Sequence, residues 1–160
     1  MKTLQEFMPI LSEEEFRQGL TPQDRLLGLD IGTKTIGVAF GSVMAGFASP
    51  LQVIRRTKIV KDALILKKMM AEYSVGGLVV GWPLNIDGTV GVRCQATRDV
   101  MLEIMKYIPD VPVLFYDERF STKKAEYFMI DEIDLSRKKR GQIVDKMAAQ
   151  IILQDFLDRV

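Results

Sequence analysis

The chain of 160 residues contains no histidine and one cysteine, Cys94. Without imidazole there is no Ser-His-Asp or Cys-His catalysis, no histidine acid–base chemistry and no His-ligated zinc. A single cysteine excludes an internal disulfide and a thiolate metal cluster. Charge of one sign is missing too. Lys and Arg total 22 against 21 Asp and Glu, a net +1, so no global field steers the chain toward nucleic acid and any such contact comes from a local patch. No apolar run approaches the roughly 20 residues of a membrane span. Met1 to Ile10 lack the apolar core and small-residue cleavage site of a secretory signal. These absences lead us to expect a soluble cytoplasmic protein with no membrane partner. Any chemistry falls to carboxylates, lysines or a bound ion.

What is present is a chain that is 48% hydrophobic, enough for one domain with a sizeable core. Ser12-Glu13-Glu14-Glu15 reads as a capping box opening a short helix that Gly19 ends, so residues 1–24 form an N-terminal appendage and 25–160 a single domain. Leu26 to Asp30 and Ile36 to Gly41 are apolar runs joined by Gly32-Thr33-Lys34-Thr35, a β-hairpin pattern. A third strand is expected over Gly46 to Ile54, with Pro50 placing part of it at an edge or bend. The pattern then becomes helical over 59–73, strand-like over 76–81, helical to about Tyr107 and strand-like over 111–116. Further helices are expected over 121–130 and 142–158. Strands linked by helices pair in parallel through right-handed crossovers. The expected fold is α/β: a mixed five-stranded sheet, three antiparallel strands then two parallel, with helices on both faces.

Three acids stand out. Asp30 closes the first strand, where it either caps the turn or meets a cation. Glu118 lies just past the last strand, and ligand sites gather at the carboxyl ends of strands in open α/β sheets. The two converge if their strands are neighbours. Asp145 falls on the apolar arc of the final helix, flanked by Ala148 and Ala149, which would let the helix approach the sheet closely. The bland alternative is that Asp145 answers the helix dipole. Clustered carboxylates repel, and divalent ions relieve the repulsion. Two ions about 4 Å apart can activate water and stabilise the leaving oxygen of a phosphodiester.

Four stretches carry a resemblance: residues 29–39 (Leu-Asp-Ile-Gly-Thr-Lys-Thr-Ile-Gly-Val-Ala), 81–88 (Gly-Trp-Pro-Leu-Asn-Ile-Asp-Gly), 117–122 (Asp-Glu-Arg-Phe-Ser-Thr) and 144–149 (Val-Asp-Lys-Met-Ala-Ala). In this order they resemble the YqgF family, proteins described as Holliday-junction-resolvase-like or as pre-16S ribosomal RNA nucleases. The match runs from about Arg25 to Val160. The resemblance implies a ribonuclease-H-like fold and a cytoplasmic bacterial nuclease dependent on Mg2+ or Mn2+, with two ions. It implies action in 5′-end maturation of the small-subunit rRNA precursor, and carries over Asp30, Glu118 and Asp145 as both catalytic and metal-binding acids. Two departures are noted: the first 24 residues are extra, and Trp82 stands where a smaller aliphatic residue is common.

The partners expected are structured pre-rRNA, a four-way DNA junction in the runner-up reading, and a pre-ribosomal particle. Monomer and homodimer both suit the sequence. A non-catalytic RNA-binding assembly factor is a further alternative, whereas an ATP phosphotransferase needs two such domains and more chain. Lys34 and Arg119 neighbour the acids and either balance their charge or touch a phosphate. Arg137, Lys138, Lys139 and Arg140 read as a loop, either solvated or holding a strand's phosphates. Trp82 and Cys94 read as packing residues.

Overall fold

The computed structural model describes residues 10–118 and 137–160, with side chains for 10–118 and 147–160. The expected helix over 121–130 and the Arg119 side chain lie outside the described residues. The described elements are β1 (Ile10–Leu11), α1 (Glu13–Gln18), β2 (Arg25–Ile31), β3 (Thr35–Ser42), β4 (Phe47–Arg55), α2 (Ile59–Glu72), β5 (Gly77–Trp82), α3 (Val92–Ile104), β6 (Val113–Asp117) and α4 (Arg137–Asp158). The sheet has six strands in the order β1-β6-β5-β2-β3-β4. The sixth strand is a correction: Ile10 and Leu11 pair in parallel with Val113 and Leu114 of β6. A two-residue strand has no periodicity by which to announce itself.

The rest of the sheet follows the expected logic. β2, β3 and β4 are antiparallel, while β5 and β6 join β2 in parallel. Because side chains alternate along a strand, β2 feeds two cores. Leu27, Leu29 and Ile31 pack with Leu66 and Met70 of α2 and Ile104 of α3 on one face. Leu26 packs with Phe16 of α1 and with Ala149, Leu153 and Phe156 of α4 on the other. Pro50 lies in the edge strand, where its missing N–H breaks no ladder, and the register shifts beside it between Val38 and Ala39.

α4 begins at Arg137, not near residue 142. The basic run Arg137–Arg140 is therefore helical rather than a loop, as Arg and Lys are good helix formers. The helix seats on the sheet through residues that lack side chains. A methyl on Gly28 would lie 2.7 Å from Leu153 Cβ and 2.9 Å from the Ala149 carbonyl oxygen, and one on Gly41 would meet Leu157 at 2.9 Å. Ala148 and Ala149 are buried at this contact, as their size suggests. Gln150 and Gln154 lie along the side of the helix that passes over the sheet's edge. They reach the edge strand: Gln154 Oε1 accepts from Ala48 N at 2.8 Å and Gln150 Nε2 donates to Ala48 O at 3.0 Å.

The capping box at Ser12 is present, with Ser12 Oγ accepting from Glu15 N. α1 sinks Phe16 against Phe156 edge-on, at 5.4 Å between centroids. Arg17 lies over the Phe156 ring at 4.2 Å and donates to the Phe156 carbonyl. Phe16 is 2% exposed, so this segment shares the main core. Phe16→Ala is expected to lower unfolding free energy by about 3 kcal/mol in urea denaturation; an unchanged midpoint would mean that α1 only rests on the surface.

Candidate active site

Asp30 is the sixth residue of β2 and is half-buried at the strand's carboxyl end. The hairpin after it is braced from outside. Gly32 N donates to Thr35 O at 2.8 Å, and Arg56 Nη1 donates to Gly32 O at 2.7 Å. Lys34 is exposed in this turn, and its carbonyl accepts from Arg56 N. Arg56, unremarkable in the sequence, thus fixes the loop that presents Asp30.

Glu118 follows β6 directly, and its N–H donates to the Trp82 carbonyl at 3.2 Å. β2 and β6 are not neighbours; β5 separates them. The expected convergence occurs nonetheless, because the β5 residue between them is Gly81. A methyl there would lie 2.5 Å from Glu118 Oε2 and 2.7 Å from Ile152 Cδ1. The Glu118 side chain therefore lies over the empty face of Gly81 and hydrogen-bonds to Asp30. A glycine in a strand usually signals weakness or a bulge, so its role as a floor for a carboxyl was not readable.

Burial pushes the Glu118 carboxyl up, and the nearby Asp30 charge raises it further, to about 8; Arg93 opposes the rise. Glu118 is 9% exposed, and its buried Oε2 has no hydrogen-bond partner among the described residues. An orphan oxygen in a pair of repelling acids is a donor set that a hard divalent cation satisfies. Asp30 and Glu118 fit such an ion. Among the described residues they are the two sequence-selected acids brought together. The side chain of Asp145 lies outside the described ones, as do those of Arg119, Arg137, Lys138, Lys139 and Arg140. Trp82 alternates with Gly81 and so points to the opposite face, where it stacks at 4.7 Å on Phe115. It is a packing residue, and Cys94 is buried in the core as expected.

A mixed sheet that gathers an acid pair at the carboxyl ends of its strands, with helices on both faces, defines a ribonuclease-H-like domain. The fold resembles that of Thermus thermophilus RuvC in complex with a Holliday junction substrate, with TM-score 0.50 and 13% identity over 86% of this chain and 96% of that one. A family model described as "RuvX: Holliday junction resolvase" matches residues 24–159, and the chain belongs to this RuvX (YqgF) family. A Caulobacter vibrioides relative named "Putative pre-16S rRNA nuclease" is 46% identical over 153 residues, 96% of this chain and 98% of its own. A Paramagnetospirillum magneticum relative with the same name is 44% identical over 151 residues, covering 94% and 96%. With 153 of 160 residues aligned, most of the stretch before Arg25 is shared with the first of these relatives, while the family model begins at residue 24.

Two outcomes are expected from this geometry. Glu118 has a folded-state pKa of about 8 against an ordinary 4.5, so between those values the folded chain holds a proton that the unfolded chain releases. Its contribution to stability therefore falls as pH rises through that window. In metal-free buffer, the Tm difference between Glu118→Gln and the unsubstituted protein should grow in favour of the variant from about pH 5 to about pH 8. A constant difference would contradict a buried, proton-holding Glu118. Gly81→Ala should displace the carboxyl and cost about 1 kcal/mol or more, read as a lower Tm with the pH slope reduced.

Proposed function

We propose that the protein is a divalent-metal-dependent nuclease that hydrolyses phosphodiester bonds of structured RNA, the precursor of 16S rRNA, with Asp30, Glu118 and Asp145 as its acids. The observation that carries this reading is the acid pair over Gly81, in which the buried Glu118 Oε2 has no partner among the described residues. The names of the bacterial relatives at 44–46% identity support the RNA substrate.

The course of α4 supports Asp145 as the third acid. Leu157 lies by Gly41, which pairs with Leu26 early in β2, and Ala149 and Leu153 lie by Gly28 further along. The helix therefore runs back along β2 toward its carboxyl end. Asp145 stands one more helical turn from Ala149 in this direction, about 5.4 Å of rise, and that sense of travel is what supports reading it as the third acid.

When bound, Mg2+ or Mn2+ supplies an activated water and charge stabilisation for the leaving oxygen, most effectively as two ions. The chain's own part is to hold the acids at one point. Asp30 sits where β2 ends, Glu118 reaches it from β6, and Ile152 and the sheet exclude bulk water beneath them. Water's oxygen bonds to phosphorus as the bond to the leaving oxygen breaks. One product keeps the phosphate, and the other leaves as a hydroxyl carrying a proton from solvent.

The family description and the RuvC likeness favour a second reading, cleavage of four-way DNA. Both substrates belong in one assay: a 5′-extended 16S precursor fragment and a DNA junction, each with Mn2+ or Mg2+ and with chelator. The expected result is metal-dependent RNA cleavage that Asp30→Asn lowers by about 10³-fold or more with Tm retained. Symmetric junction cutting would move the activity to DNA, and cleavage at the unsubstituted rate by Asp30→Asn would remove the acids from the mechanism.

A further inference from the structure

Beside the acid pair lies an open groove of ≈ 670 Å³, lined by Pro83, Leu84, Asn85, Ile86, Asp87 and Arg93. It is tied to the acids by a single atom. The Trp82 carbonyl accepts both the Glu118 N–H at 3.2 Å and the Leu84 N–H at 2.9 Å, so the loop and Glu118 hang from one point.

The loop is a built structure rather than a loose link. Asn85 N donates to Thr89 O at 2.9 Å and Asn85 Nδ2 to Thr89 Oγ1 at 2.9 Å. Gly88, at φ 88°, makes the turn. Gly91 leaves room for the Asn85 amide, which a methyl there would meet at 2.9 Å. One oxygen of the groove's carboxylate is held by the loop: Asp87 Oδ1 accepts from Thr89 N at 3.0 Å and from Thr89 Oγ1 at 2.6 Å.

Arg93 is different. It is exposed in the first turn of α3, and among the described residues it makes no hydrogen bond or ion pair. Its positive charge is felt at Glu118. The rim around it is apolar and open: Ile86 is 70% exposed, Val90 60% and Val92 83%. A guanidinium beside exposed apolar side chains matches a nucleic-acid strand, which offers phosphate oxygens on one side and sugar and base faces on the other. A cation beside the acids adds to the attraction for an approaching phosphate.

Resting on the nuclease reading, we propose that this groove seats the substrate strand next to the cleaved bond, with Arg93 gripping one phosphate and Ile86, Val90 and Val92 covering the adjoining sugar and base. Arg93 is thereby a substrate-binding residue, and it also sets the register of the strand relative to Asp30 and Glu118.

The test uses the full chain and a fluorescent single-stranded RNA taken from the 5′-extended precursor, with anisotropy measured in chelator across a salt series. Arg93→Ala is expected to weaken binding about tenfold and to reduce the slope of log K against log salt by about 0.7. Arg93→Lys should restore the slope, since it keeps the charge. An unchanged affinity and slope in Arg93→Ala would overturn the proposal. So would a shift confined to the pH dependence of Tm, which would make Arg93 only a charge partner of Glu118. The nuclease reading fails separately: if no chain cuts RNA with Mn2+ while the slope still drops in Arg93→Ala, the groove stands and hydrolysis does not.

Discussion

The two carboxyls meet above a strand to which neither belongs, and they do so because Gly81 has no side chain. Neighbouring strands lie about 4.8 Å apart, so acids on β2 and β6 begin roughly 10 Å from each other. Glu118 closes that gap by lying across β5, where a methyl would stand 2.5 Å from its oxygen. The free energy for holding a half-repelling pair out of water comes from the sheet itself. β2 and β5 are buried on both faces, and they do not yield.

The same device repeats under α4. Gly28 and Gly41 let the helix backbone approach to contact, and Ala148 and Ala149 present nothing to hold it off. Such close seating leaves the helix little freedom to slide or tilt on the sheet. The far end is fixed as firmly. Phe156 takes the rings of Phe16 and Tyr116 edge-on, and Tyr116 donates to Asp155 at 2.7 Å. Burial and the Asp155 carboxylate both push the Tyr116 hydroxyl up, so it keeps its proton and the bond throughout the physiological range.

Much of this was legible in the sequence, and the reasons are physical. The apolar runs in Leu26–Ile31 and Ile36–Gly41, joined by a glycine-containing turn, mark strands because a strand buried on both faces reads as a near-continuous apolar run. The box at Ser12 and Glu15 marks a helix start because both groups bond the backbone locally. Asp30 and Glu118 were visible as acids ending apolar runs. Their meeting was expected on the condition that the two strands were neighbours; they are not, and Gly81 on the strand between lets the carboxyl reach across. What stayed hidden depends on partners distant in sequence. Ile10 and Leu11 become a strand only because β6 is there to pair with. Arg93 is one base in a helix until its neighbour 25 positions on is seen to be Glu118.

The two ends of the sheet close against outsiders in different ways. A bare strand edge offers N–H and C=O groups to any other chain, which is how sheets join into aggregates. Beside β6, the edge is met by β1, whose described residues Ile10 and Leu11 pair with Val113 and Leu114. Beside β3, the edge strand β4 carries a proline and a register break, and Gln150 and Gln154 occupy the outward groups of Ala48. The helix that packs on one face of the sheet therefore also covers, through Gln150 and Gln154, backbone groups at its edge.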